Sequence, residues 1–482
     1  MLLKKFKTFL GEHWWVILTG VVLVLRVPSL FEPFTYGDEG VYLTLGQGIK
    51  KGLLLYKEIH DNKPPLIYLV AELAGNFEMY RLIFFLWAGV TIFAFHKLTG
   101  VLFKNKAAKA ITTSVFAVLY SLPLLEGNIA NAENYMVLLT IWGFYKLVKA
   151  KSAGDYLWVG VMFAMAILFK VPAGFDVGAV LVLIITTQKE WRKIIGNSFW
   201  VLAGVMGPIL ITVAYFAGKG AGREYLMAAF AQNLPYLSSW GTSSHQSFSL
   251  PIGLMVRFGM VIIGVVLIFY YRNRLEQSLR LVLLWFGFAW FAALLSGRPY
   301  PHYMLQVLPA FALAWGWVFS TRLVKVIPYA LLVVSIVTWL GFKFWHYKNL
   351  QYYNNFYSYA VGKKNWESYG SYFSPQVENI YELADYLGKR TVKDERVFIW
   401  GNQPEIYALA YRLPVGKYTV AYHIIDFEGY KVTIDALKAV KPRYVVIYGD
   451  EKRPFLELNI YVATNYQLEK NIQGIAVYHL LP

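Results

Sequence analysis

The sequence predicts a polytopic α-helical membrane protein of about 11 spans that ends in a small α/β domain. Three observations predict this. Hydrophobic residue types make up 57% of the 482 residues and charged types only 16%, too little charge to cover a soluble protein of this length. Apolar runs of roughly 20 residues recur up to about residue 345. The short loops joining those runs alternate between basic and acidic.

The spans fall at roughly 14–30, 80–98, 109–125, 133–149, 156–172, 174–188, 197–217, 251–271, 279–296, 302–320 and 326–345. The fifth and sixth are either two helices or one broken element, because Lys170-Val171-Pro172-Ala173-Gly174 interrupts them. The first run follows Lys4, Lys5 and Lys7 without a convincing cleavage site, and reads as an uncleaved span. The net charge of +17 could point to nucleic acid, but the basic residues sit in short loops, as topology requires of a membrane protein. No nucleic-acid partner is therefore expected. The chain has no cysteine, which excludes disulfides and thiolate metal sites.

With the N-terminus in the cytoplasm, the inner loops receive Lys97, Lys104, Lys106 and Lys109, then Lys146, Lys149 and Lys151, then Lys189, Arg192 and Lys193. Arg272, Arg274 and Arg280, and finally Arg322 and Lys325, complete the series. The opposite loops receive Asp38, Glu39, Asp61, Glu126, Glu133 and Glu224. This orientation puts the C-terminus on the non-cytoplasmic side of a plasma membrane.

Residues 1–346 form the membrane domain, including a long first outer loop at 31–79. Within that loop Tyr42 to Leu55 predicts an amphipathic surface helix, and Pro65 to Leu73 a second short one. Gly218 to Leu250 reads as a mobile outer loop. Residues 347–482 form an interfacial linker and the α/β domain. Helices are expected at Val377–Leu387, Glu405–Tyr411 and Val432–Val440, strands at Arg396–Trp400 and Tyr444–Tyr448, and one or two strands over Tyr461–Leu481. Gly401-Asn402-Gln403-Pro404 is a strand-to-helix turn without a nucleotide fingerprint.

Five outer segments carry candidate chemistry. Asp38–Glu39 follows the first span; an Asp beside an acceptor hydroxyl can act as general base, although the pair taken alone reads first as a helix N-cap. His60-Asp61-Asn62-Lys63-Pro64-Pro65 presents Lys63 just before a helix, either to a phosphate or as a polar helix start. Glu126 and Glu133 flank an Asn-rich loop, with helix capping as the bland alternative for Glu133. Lys170 either snorkels or meets a phosphate. In Gly297-Arg298-Pro299-Tyr300-Pro301-His302-Tyr303, Arg298 offers a planar fork for phosphate, and His302 a donor, base or metal ligand. Each is weak singly; their common placement on one side is the stronger signal.

The order of these motifs resembles a known family. An acidic pair follows the first span, then come Asn62-Lys63-Pro64-Pro65, Asn131-Ala132-Glu133, Lys170 near Pro172, Arg298…His302-Tyr303 before Leu308-Pro309-Ala310, and Val397-Phe398-Ile399-Trp400-Gly401…Glu405-Ile406-Tyr407. The chain is similar over nearly its whole length to the GT-C glycosyltransferases that use polyprenyl-phosphate sugars, in the prokaryotic branch of the protein O-mannosyltransferase and aminoarabinose transferase group. The resemblance implies an inverting hexosyl- or pentosyltransferase of the cell envelope. Its donor would be a polyprenyl-phosphate sugar amid membrane lipids, and its acceptor a hydroxyl on protein, lipid or glycan. It implies Asp38 as general base or as the group that orients the acceptor, Glu39 in support, Glu133 as a second acidic residue, and Lys63, Arg298 and Lys170 on the donor phosphate. Asp61, His302 and Tyr303 would line the substrate cavity. Some relatives carry an acidic, metal-competent residue directly before the Lys-Pro unit; here it is Asn62, so no cofactor is assigned and a divalent metal stays open. The alternative reading is a transporter or flippase of lipid-linked sugars, which would favour internal repeats and mid-membrane polar groups.

Overall fold

The computed structural model describes residues 2–234, 252–320, 326–344 and 347–482. By contacts the chain divides into two compact units, residues 1–27, 84–214 and 232–349 in the first, and 28–83, 215–231 and 350–482 in the second.

The first unit is helical. Each predicted span coincides with a helix, and the helices Lys106–Ser121 and Leu308–Ser320, Ala132–Lys149 and Ala153–Phe169, and Gly174–Thr187 and Gln277–Ala293 pack as neighbours. Among the described residues, His13–Leu30, Phe77–Leu102, Trp191–Gly218 and Gly253–Tyr270 are long and apolar enough to cross a membrane. Shorter apolar helices run over Ala153–Phe169, Val171–Thr187, Gln277–Ala293, Leu308–Phe319 and Pro328–Gly341. Trp191–Gly218 leaves Trp191, Ile195, Phe199, Leu210 and Ile211 exposed, a surface that water does not tolerate and lipid does. The fifth and sixth predicted spans are two helices, Ala153–Phe169 and Gly174–Thr187, parted at Lys170, which is extended (φ −154°, ψ 122°) ahead of a short turn at Val171–Ala173. The tenth predicted span starts late. Pro301 opens a 3-10 turn, Pro301–Leu305, and the α-helix begins at Leu308.

Small residues set the closest helix approach. A Cβ on Gly160 would lie 2.0 Å from the Val201 carbonyl oxygen, and one on Gly204 would lie 2.1 Å from that of Leu157. The two backbones meet there with no room for a methyl group.

The second unit holds the first outer loop and the tail. The helix Gly37–Lys50 starts earlier than predicted and is buried from Glu39 to Gly48, so it is a core element and not an amphipathic surface helix. The second short helix lies at Leu66–Ala74 and ends on Gly75 in the left-handed region (φ 71°). Of the predicted mobile loop, Gly222–Ala229 is a helix, and residues 235–250 lie outside the described residues. The predicted linker contains the helices Asn349–Ala360 and Trp366–Gly370.

The tail is an α/β layer structure. β1 (Phe398–Trp400), β2 (Tyr444–Tyr448), β3 (Tyr466–Ile472) and β4 (Ile475–Leu480) form one sheet in the order β1-β2-β4-β3. β1 and β2 are parallel, joined through the helices Glu405–Ala410, Ala421–Asp426 and Tyr430–Val440; β3 and β4 are an antiparallel hairpin. Gln473 (φ 45°) and Gly474 (φ 91°) turn that hairpin with the doubly positive φ that matches strand twist. Both faces of β1 and β2 are covered. Ile399 and Val446 pack with Leu383, Leu387 and Tyr407, while Phe398, Trp400 and Val445 pack with Leu437, Leu458 and Val462. Two-sided burial is why these strands read as unbroken apolar runs. The predicted strand from Tyr461 is corrected: Leu456–Asn465 is a helix whose buried Leu458, Tyr461 and Val462 keep helical spacing.

Gly160→Leu is expected to lower the thermal stability of the purified protein strongly, since overpacking costs about 1–3 kcal/mol and backbone faces the added atoms. Gly196→Ala, with open space around its Cβ, is expected to be neutral or slightly stabilising in the same melting assay.

Candidate functional site

Each unit gathers one cluster of the predicted residues. In the second unit the centre is the first turn of the helix Gly37–Lys50. Asp38 and Glu39 both lie in that turn, and the N-cap position is Tyr36, so neither carboxylate is a cap. Consecutive helical residues point about 100° apart, and here that angle separates two environments. Glu39 points inward, fully buried, and accepts a hydrogen bond from Arg81 Nη2 at 3.0 Å. Arg81 also donates Nη1 to the Ser29 and Glu32 carbonyls at 2.8 and 2.9 Å, and its guanidinium lies over Phe77 at 4.2 Å. Asp38 points outward with 34% of its side chain exposed, 3.4 Å from Lys63 Nζ, and accepts from Tyr42 at 3.1 Å.

Lys63 is fixed from several directions. Its backbone N–H donates to the Tyr68 hydroxyl at 3.2 Å, and its carbonyl accepts from the Tyr56 hydroxyl at 2.8 Å. Its Nζ lies 3.8 Å from Asp61 Oδ2 and 5.0 Å from the centre of the Tyr42 ring. Asp61 is buried, accepting from Tyr68 at 2.6 Å and from the Asn62 N–H at 2.8 Å, with His423 Nε2 at 3.5 Å. Burial would raise its pKa, but Lys63, His423 and these hydrogen bonds outweigh burial and hold it at about 2. Asp61 is therefore a permanent anion beneath Lys63. His60, buried against Phe427 and Tyr418, is pushed down to about 3 chiefly by burial, then by His423 and Lys417.

In the first unit Glu126, Glu133, Lys170 and His302 meet. Glu126 stands in the left-handed region (φ 53°) after the turn Pro123–Leu125 and is buried; it accepts from Tyr347 at 2.6 Å and pairs with His302 Nδ1. His302 Nε2 lies 3.6 Å from Glu133 Oε1, and Lys170 Nζ pairs with the same oxygen. Lys170 also sits over the Tyr303 ring at 4.5 Å. Gln306, just after the turn Pro301–Leu305, donates to the Pro172 carbonyl at 3.0 Å and ties that turn to Val171–Ala173. Arg298 follows Gly297 (φ 67°) and donates its backbone N–H to Ser296 Oγ at 3.2 Å.

The structure thus joins Asp38, Asp61 and Lys63, ties Glu39 to Arg81, and joins Glu133, Lys170, His302 and Tyr303 with Glu126. Sequence reasoning missed Arg81, Tyr68, His423 and Glu405. Arg81 had a usable signal, a lone charge at the start of an apolar run. Glu405 stood in the tail motif without a role, Tyr68 lies five residues past Lys63 with nothing to single it out, and His423 had no signal. Among the described residues no group of three or more His, Asp or Glu is arranged to hold a metal. His302 spends its two nitrogens on different carboxylates, and Asp61 spends its oxygens on Tyr68, Asn62 and cations.

Arg81→Met strands a buried carboxylate, and a broken buried pair costs about 3–5 kcal/mol. The melting temperature should fall by roughly 10 °C, whereas Lys389→Ala, which breaks an exposed pair with Asp385, should leave it nearly unchanged. His60 predicts acid sensitivity. Its folded pKa lies below the unfolded value of about 6.5, so between that pH and about 3 the unfolded chain binds the extra proton. Stability should fall on acidification through that window by up to about 1.4 kcal/mol per pH unit, and His60→Phe should flatten the slope in pH-dependent melting.

Comparison with known proteins agrees with this architecture. Residues 63–216 match the family model described as dolichyl-phosphate-mannose-protein mannosyltransferase. No curated protein sequence matches the chain. Among solved structures, ArnT from Cupriavidus metallidurans bound to undecaprenyl phosphate matches with a TM-score of 0.55 and 14% identity, covering 97% of this chain and 98% of that one. The same protein in the apo state gives 0.56 and 13%, with 97% and 98% covered. The apo oligosaccharyltransferase of Archaeoglobus fulgidus gives 0.50 and 12%, with 92% of this chain and 70% of that one covered. The chain is similar to the polyprenyl-phosphate-sugar glycosyltransferases and has their GT-C fold; fold, family match and apolar helices together support a membrane glycosyltransferase.

Proposed function

We propose that this chain is an inverting glycosyltransferase that moves a sugar from a polyprenyl-phosphate donor to an acceptor hydroxyl at the non-cytoplasmic face of the plasma membrane. The observation that carries the reading is the Asp38–Lys63 pair. Asp38 is the partly exposed carboxylate of its cluster, and Lys63 is held beside it by Asp61, Tyr42 and two tyrosine hydroxyls. A base that must meet an acceptor needs access, and Glu39 and Asp61 have none. The donor class is supported by the family match and by the undecaprenyl phosphate that ArnT holds.

In the reaction the acceptor oxygen attacks the anomeric carbon from the face opposite the phosphate. The new carbon–oxygen bond forms as the bond to the phosphate oxygen breaks, and Asp38 takes the acceptor proton. Polyprenyl phosphate leaves with the bonding electron pair. Lys63, already placed beside an anion, can exchange Asp38 for a phosphate oxygen and stabilise the charge that builds there. Arg298 and Lys170 are further proposed phosphate contacts, with Glu133 restraining Lys170. Glu39 supports Asp38 by locking the turn that carries both.

Asp38→Asn is expected to leave folding and membrane insertion intact and to reduce transfer by about 10²–10⁴-fold. Wild-type rates from the purified variant would remove Asp38 as base. Lys63→Ala and Arg298→Ala are expected to weaken use of the polyprenyl donor by roughly tenfold or more, the loss of a charge-assisted contact; unchanged donor kinetics in both would sink the phosphate assignment. Net movement of lipid-linked sugar across liposomes without acceptor would favour a flippase instead.

A further inference from the structure

Glu405 opens the short helix Glu405–Ala410 after the Gly401–Pro404 turn. That helix is seated along the helix Gly37–Lys50. A Cβ on Gly40 would lie 2.8 Å from the Glu405 nitrogen and 3.0 Å from its Cγ. One turn on, Thr44 donates to the Pro404 carbonyl at 3.1 Å; a further turn on, Gln47 donates to the Ala408 carbonyl at 3.1 Å. Gly40, Thr44 and Gln47 share one helix face, so the tail grips the Asp38 helix along this stripe. The Glu405 side chain is 2% exposed, and its Oε2 has no hydrogen-bond partner. A hydrogen bond from its own backbone N–H favours the anion, but burial outweighs it, and the neutral acid is the form such a site tolerates.

The charges around it point the same way. Asp38 and Glu39 face Glu405 from the helix Gly37–Lys50, Tyr381 from the helix Val377–Arg390 and Tyr448 from β2. Arg81 pairs with Glu39, and Lys63 with Asp38. Burial first, then Glu39 and Asp38, push the Glu405 pKa up to about 8.

We propose that Glu405 is a positioning residue for the acidic pair: as the uncharged acid it seats the first turn of the helix Gly37–Lys50 so that Asp38 faces Lys63, and as the anion it repels that turn. The inference rests on Asp38 being the base. It makes the tail a working part of the site and gives transfer an alkaline limit.

The test is the pH profile of sugar transfer by the full-length purified protein with a polyprenyl-phosphate-sugar donor. In the wild type, kcat should fall through about pH 8, approaching tenfold per pH unit beyond it. Glu405→Gln mimics the neutral acid and should keep transfer near the wild-type rate at pH 7 while moving the alkaline limb upward by at least about one unit. Glu405→Ala leaves the turn unsupported and should lower kcat about tenfold with little change in donor KM. An unshifted limb in Glu405→Gln overturns the proposal. If that variant does not fold, infrared titration of the wild type as a difference against Glu405→Ala decides. A carboxylic-acid carbonyl band that disappears with a midpoint near pH 8 supports the proposal, and no such component overturns it. Asp38→Asn in the same assay keeps the two readings apart: if it stays active, the base assignment fails while the shift of the Glu405 limb can still be measured.

Discussion

The buried guanidinium of Arg81 is the contact on which the Asp38 cluster depends. It binds the carbonyls of Ser29 and Glu32 and the carboxylate of Glu39 together, so it fixes the chain leaving the first span against the start of the next helix. A buried ion pair adds little net stability over an apolar replacement, because both charges must be desolvated. Its value here is geometric. With Glu39 locked, the turn that carries Asp38 has one orientation. The Glu32 side chain extends the same network by pairing with the Tyr352 hydroxyl from the helix Asn349–Ala360.

The two clusters obey one electrostatic rule. Each holds a lysine over a tyrosine ring, Lys63 over Tyr42 and Lys170 over Tyr303, with a buried carboxylate to balance it. A lysine paired in this way can trade its acid for an incoming anion. The trade is easier for Lys63, because Asp38 is partly solvated and can be released while Asp61 stays in place. Lys170 shares the Glu133 oxygen that His302 also approaches, a tighter arrangement that suits holding more than exchange.

Much of the fold was legible because its signals are local. Apolar length marked the helices, Pro64-Pro65 marked the start of Leu66–Ala74, and continuous apolar runs marked β1 and β2. Errors came where tertiary burial decided the outcome. The helix Gly37–Lys50 has a mixed composition that suits a surface, but the tail helix Glu405–Ala410 covers it. Tyr461 lies in a β-prone segment, yet it spaces with Leu458 and Val462 on a helix face. Site residues followed the same division. The acidic pair, Lys63 and Lys170 stood out by type and position. Which acid would pair with which cation did not, because Glu133 and Lys170, or Asp61 and His423, meet only after folding.

The adjacency of Asp38 and Glu39 then has a physical purpose. Two neighbouring carboxylates on a helix cannot serve the same role, since about 100° of rotation separates them. Arg81 clamps the inner one by neutralising Glu39 in the core, and Lys63 holds the outer one, Asp38, without burying it. The order Asp then Glu matches this division: the shorter side chain lies toward solvent and Lys63, and the longer one reaches into the core to meet Arg81.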